Sequence, residues 1–186
     1  METMAKLGTP HKGSRWDEIG MTEIAQILIS HGKSAIYSIQ FVYVADGKLF
    51  PSKIHGSPDG LKFDTVTFDY PSEYLVSISG DHSLEGLASI TFGTNKRKYG
   101  PFGRNTEDDC KSEFDAFGTK KRMFDQFGMS GSHYEKFAYN FRPKSSFGGF
   151  HGSLQTHKSG VGSIGVYVRP LESLADIEKD IGTQNE

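Results

Sequence analysis

The sequence is short of the residues that most often announce a chemistry. Its single cysteine, Cys110, cannot close an internal disulfide and has no second thiol for a structural zinc site, which fits a reducing compartment. Positive charge is not in excess. With 21 Lys and Arg against 23 Asp and Glu, there is no dense basic field for a phosphate backbone, and no nucleic-acid partner is expected. No apolar run approaches the roughly 20 residues that cross a bilayer, so no membrane partner is expected either. The opening Met1-Glu2-Thr3-Met4-Ala5-Lys6 lacks an apolar signal core and an Arg-rich transit pattern, and reads as a mature, cytosolic N-terminus. The seven histidines are scattered without metal-ligand spacing, and no Gly-x-Ser-x-Gly elbow marks a hydrolase nucleophile. Gly160-Val161-Gly162-Ser163-Ile164-Gly165 has the spacing of a dinucleotide fingerprint, but a strand-like segment follows it where that motif needs a helix. An enzyme, a cofactor and a metal are therefore not expected.

What the sequence does have is period-two alternation and many glycines. In 36–44, Ile36, Ser38, Gln40, Val42 and Val44 alternate with Tyr37, Ile39, Phe41 and Tyr43, and Asp46-Gly47 then supplies hairpin-turn chemistry. Similar runs are predicted as strands at 24–30, 62–69, 74–79, 87–92, 135–141 and 163–168. Short strands separated by glycine turns predict an all-β sandwich, barrel or prism, and the length suits a single domain. The predicted organisation is a tail over 1–5, the domain over 6–172 and a C-terminal tail over 173–186, where Ser173 can cap a short helix with Asp176 three residues on. Residues 104–132 read as an inserted loop with a near-repeat, Glu113-Phe114-Asp115-Ala116-Phe117-Gly118 and Met123-Phe124-Asp125-Gln126-Phe127-Gly128. Its four phenylalanines either anchor the loop on the domain or form an exposed patch for a protein partner.

Five ordered segments carry a family resemblance. Gly13-Ser14-Arg15-Trp16-Asp17 opens the series, and Ile78-Ser79-Gly80 and Tyr99-Gly100-Pro101-Phe102-Gly103 follow in the middle. Gly148-Gly149-Phe150-His151-Gly152 and Ile164-Gly165-Val166-Tyr167-Val168 close it. Together they resemble the plant jacalin-related lectins, most nearly the single-domain cytosolic members, some of which act in defence, including restriction of virus movement. The resemblance implies a β-prism I fold of three four-stranded Greek-key sheets with pseudo-threefold symmetry, a non-enzymatic mannose-type carbohydrate-binding function, and the chance of oligomers. Trp16 is expected to fill the space where sheets meet, and Gly-Pro-Phe-Gly to form a turn with Phe102 as an apolar plug.

The resemblance also implies a sugar site built from an N-terminal glycine, a second loop that often bears an aromatic residue, and a third loop ending in an aspartate just before Ala-Ile-Gly. Gly13 matches the first element, although Pro10-His11-Lys12 stand where paired glycines are usual. The second loop, Gly80-Asp81-His82-Ser83-Leu84, has no tyrosine or tryptophan, leaving His82 as its only ring. The third departs most. Aligned on Ile164-Gly165, the aspartate falls on Gly162 and the leading glycine on Lys158, and the run from Gly152 is longer than usual. Backbone amides at Ser159 and Gly160 remain as donors. Hydrogen bonds to a charged group contribute roughly 1.5–3 kcal/mol each, so losing two weakens binding by about two to four powers of ten. A weak glycan site, or a lectin scaffold turned to protein contacts, are the two readings this leaves.

Overall fold

The computed structural model describes residues 4–8, 13–105, 133–141, 146–156 and 160–170. Among these, the regular elements are thirteen strands: β1 (Ala5–Gly8), β2 (Arg15–Asp17), β3 (Ile24–His31), β4 (Ile36–Ala45), β5 (Lys48–Pro51), β6 (His55–Gly56), β7 (Lys62–Thr67), β8 (Leu75–Ser83), β9 (Gly86–Thr94), β10 (Lys98–Gly103), β11 (Glu135–Asn140), β12 (Phe147–Leu154) and β13 (Val161–Val168). No helix long and apolar enough to cross a membrane occurs among the described residues.

Three antiparallel sheets share one core. The first has the order β5-β4-β3-β7, with the two-residue β6 pairing to β4 beyond β5. The second has the order β10-β9-β8-β11. Numbered by chain order within each sheet, both run 3-2-1-4, the Greek key. The terminal sheet, β1-β13-β12-β2, follows the same pattern if β12 is its first strand, so both ends of the chain meet inside one Greek key. This is the prism that the resemblance implies. At its centre Ile39, Phe41, Ile78, Ile90, Phe92, Phe150, Ile164 and Val166 are fully buried, and Phe41 stacks on Phe150 at 4.2 Å between ring centroids, joining the first sheet to the terminal one.

The alternation in 24–30 and 36–44 predicts β3 and β4 to within a residue or so, and Asp46 and Gly47 both take positive φ in the turn after β4. The Tyr99–Gly103 segment differs from expectation. It is strand rather than turn: Tyr99 pairs with Phe92 and Phe102 with Ile90, and the register shift between them places Gly100-Pro101 as an irregularity in an edge strand. Phe102 packs on the core as expected. β1, β2, β5, β6 and β12 fall outside the predicted strands. Four of them have two to four residues, and β12 (FGGFHGSL) is interrupted by glycines that blur alternation. The four phenylalanines of the insertion and the helix expected from Ser173 lie outside the described residues.

The family segments are a packing code for the terminal sheet. Gly152 lies opposite Trp16 on β2, and a Cβ there would fall inside the indole, so the glycine makes room for the tryptophan. Trp16 in turn stacks on His55 of the first sheet at 4.0 Å and packs on the core, filling a junction between sheets. His151, fully buried, occupies the space left by the missing side chain of Gly165, and its Nε2 meets the Leu7 carbonyl at 2.9 Å. Asp17 accepts a hydrogen bond from the Tyr167 hydroxyl, tying β2 to β13 across β12.

Two measurements follow. Phe150→Ala removes a ring from a site with no exposure and is expected to cost about 3–5 kcal/mol in urea unfolding. Burial, and then the hydrogen bond and negative charge of Asp17, push the Tyr167 hydroxyl up to about 12. The folded state therefore holds this proton more tightly than the unfolded chain. That contribution to stability is complete below the ordinary tyrosine value of 10.0 and is lost as pH rises to about 12. Tyr167→Phe is expected to flatten this alkaline loss in a stability-versus-pH series.

Candidate functional site

One end of the prism gathers three connections. The first, between β1 and β2, ends at Gly13, whose φ of +90° is open to glycine and strained for other residues. A Cβ at Gly13 would overlap the Leu154 carbonyl oxygen at the end of β12. Beside it, the Leu154 N–H donates to the Ser14 carbonyl at 2.8 Å, so Gly13 and Ser14 lie flush on the end of β12. In that hairpin the Gln155 N–H donates to the Gly160 carbonyl at 2.9 Å. The third connection is the β8–β9 turn, Leu84-Glu85, followed by Gly86 with φ of +134°. A Cβ on Gly86 would overlap the Gln155 carboxamide nitrogen, and one on Gly160 would stand 3.0 Å from the same group. Gly13, Gly86, Gln155, Thr156 and Gly160 thus meet at a single apex.

The expected site residues are distributed as follows. Gly13 and Gly160 are at the apex, and Ser159 lies outside the described residues. Gly162 is in β13, where a Cβ would stand 2.9 Å from Ser153 Oγ, itself paired with Ser163 Oγ at 2.9 Å. The position to which the resemblance assigns the site carboxylate is thus closed in by the neighbouring strand. His82 belongs to β8 rather than to a loop, because that strand continues to Ser83. It stands opposite Leu87, with Nε2 3.2 Å from Glu135 of β11 and its ring 6.4 Å from Phe137.

Leu84, Gly86, Gln155 and Thr156 were not singled out from sequence. Leu84, 86% exposed at the tip of the shortened second loop, is an apolar side chain offered to solvent beside the polar apex. A glutamine or a leucine in a hairpin carries no motif, so only the fold reveals these four. Among the described residues no three His, Cys, Asp or Glu side chains come together as a metal-binding group.

The stems of the insertion rise at this same end. After β10 the Arg104 N–H donates to the Ala88 carbonyl at 2.9 Å, and Arg104 Nη1 lies 3.5 Å from the buried Asp81 carboxylate. Its guanidinium stacks over the Tyr134 ring at 4.0 Å, just before β11 begins opposite His82. The two stems are therefore clasped together, and Arg104 belongs to the body of the domain.

Three Greek-key sheets capped at one apex by loops with close-approaching backbone define a lectin of the β-prism class. A jacalin-like lectin domain model matches residues 4–116. The chain belongs to the jacalin-like lectin family. It is 38% identical over 170 residues to the Arabidopsis thaliana protein RESTRICTED TEV MOVEMENT 1, covering 88% of this chain and 82% of that one. It is 30% identical to Jacalin-related lectin 2 of the same plant, covering 96% and 89%. Among solved structures, a mannose-binding jacalin-related lectin from Ananas comosus matches with a TM-score of 0.60 and 29% identity, over 90% of this chain and 99% of that one. Artocarpin, in a complex with mannopentose, matches with a TM-score of 0.61 and 25% identity, over 91% and 98%.

The apex geometry is testable through its glycines. Gly20 has a φ of +85° and open space around it, so Gly20→Ala carries only the conformational penalty of about 1–2 kcal/mol. Gly13→Ala adds the clash with the Leu154 carbonyl and is expected to cost at least about 1 kcal/mol more in chemical denaturation. Equal costs would contradict the close approach.

Proposed function

We propose that the protein is a non-enzymatic carbohydrate-binding module of the mannose type, acting in the cytoplasm of a plant cell in defence, with a weak site at the apex. The observation that carries this reading is the meeting of Gly13, Gly86, Gln155 and Gly160. A sugar is neutral and strongly hydrated, so it is held by several converging hydrogen bonds and an apolar wall. The apex offers tightly packed backbone at Gly13, Gly86 and Gly160, polar side chains at Gln155 and Thr156, and Leu84 as the wall. The mannose-binding relative from Ananas comosus and the artocarpin complex favour mannose as the sugar.

A second reading is an interaction factor on a lectin scaffold, and one observation favours it. Arg104, Asp81 and Tyr134 clasp the two stems of the insertion together at the apex end of the prism. A relative named for restricting virus movement points the same way. In this reading a protein partner binds the 104–132 insertion and sugar binding is dispensable.

The two separate in one set of measurements. The first expects a glycan array to show mannose-terminated oligosaccharides bound and free mannose bound at millimolar affinity or weaker. A chain lacking residues 106–132 but keeping Arg104 is expected to bind the same glycans. An array with nothing bound contradicts the first reading. Gly162→Asp restores the missing carboxylate and is expected to raise mannose affinity by about tenfold or more. It also displaces the Ser153 hydroxyl and is expected to lower stability by about 1 kcal/mol.

A further inference from the structure

We infer that the Gln155 carboxamide is the group that reads sugar hydroxyls at this apex, standing in for the carboxylate that Gly162 does not supply, and that it selects a pyranose presenting two adjacent hydroxyls. The inference rests on the glycan-site reading above and assigns that site its principal side chain.

Three observations carry it. The first is position: Gln155 belongs to the hairpin against which Gly13 closes, and its carboxamide is set against Gly86 of the second loop and Gly160 of the third. Both neighbours lack a Cβ where the amide sits, so the slot exists only because they are glycines. The second is availability. The Gln155 backbone N–H is taken by Gly160, but no hydrogen bond holds the carboxamide among the described residues. The residue is half-buried. A polar group fixed by packing on both sides yet unpaired is already oriented for a ligand, which lowers the ordering cost of binding. The third is chemistry. A carboxamide presents two N–H donors and an accepting oxygen, whereas a carboxylate only accepts. One carboxamide can therefore donate to one hydroxyl and accept from its neighbour. Neutral bonds of this kind are weaker than charge-assisted ones, which agrees with the weak affinity expected from the loss of the aspartate.

The test uses the full chain, with methyl α-D-mannopyranoside and its 3-deoxy and 4-deoxy analogues titrated by chemical shift, a readout that reaches millimolar affinities. Gln155→Ala is expected to weaken methyl mannoside binding by about tenfold or more while its thermal unfolding matches wild type. At least one deoxy analogue is expected to bind wild type about fivefold or more weaker, and to lose nothing further in Gln155→Ala, the coupling that direct contact requires. Gln155→Glu is expected to bind methyl mannoside more tightly when ionised, and to fall back toward the wild-type affinity as pH drops through the ordinary glutamate range near about 4.3, where its carboxyl regains a donor. Wild type that binds methyl mannoside while Gln155→Ala binds it equally well overturns the inference and leaves the glycan reading standing. Wild type that binds neither methyl mannoside nor any arrayed glycan overturns both.

Discussion

The pairing of β1 with β13, and of β12 with β2, is the constraint on which the rest of the structure depends. The first and second sheets are assembled from strands that follow one another along the chain, whereas the terminal sheet closes only when Ala5 meets Val168. That closure orders nearly the whole chain between its partners and is the most non-local event in the fold. It is secured by side chains with little tolerance. Trp16 needs Gly152, His151 needs Gly165 and Gly8, and Tyr167 needs Asp17. The residues that identify the family are largely these, and they are identifiable because each occupies space that its neighbour must leave vacant.

The same closure makes the apex. Gly13 approaches the β12–β13 hairpin only because β2 lies against β12. The apex residues therefore sit in connections whose framework is set by strand packing. A connection can change without disturbing the sheets beneath it. Gly162 illustrates this: the strand around it is intact, it offers no side chain, and Ser153 and Leu154 close around the place where a Cβ would be. The insertion obeys the same rule. It connects β10 and β11, the two opposite edges of the second sheet, and Arg104 ties its stems across the end of that sheet through Asp81 and Tyr134.

The fold was legible in sequence because alternation is strong where strands have one buried face, as in β3 and β4, and because the family segments are spaced across the whole domain. Strands with weak alternation were not legible. β12 is crowded with glycines that serve its neighbours' side chains, β10 carries an irregularity at Gly100-Pro101, and β1 and β2 are too short to show a period. The apex was half legible. Of its residues, Gly13 was named for the close approach that glycine allows and Gly160 for its backbone amide. Gln155, Thr156 and Leu84 were missed because a polar or apolar side chain in a hairpin signals nothing until the fold shows what it faces. His82 looked like a loop residue because Gly80 suggested a strand end, whereas β8 runs on to Ser83 and engages the ring with Glu135.

Closure of the terminal sheet brings three separate connections to one apex, the place proposed to bind sugar. A map of backbone amide shifts, recorded as a mannose-terminated oligosaccharide is added to the isotope-labelled chain, tests this. The perturbed amides are expected to cluster at Gly13, Ser14, Leu84, Gly86, Gln155 and Gly160, while the β7 and β11 edges stay unmoved. Shifts confined to a sheet face, or a spectrum unchanged at millimolar ligand, would contradict it.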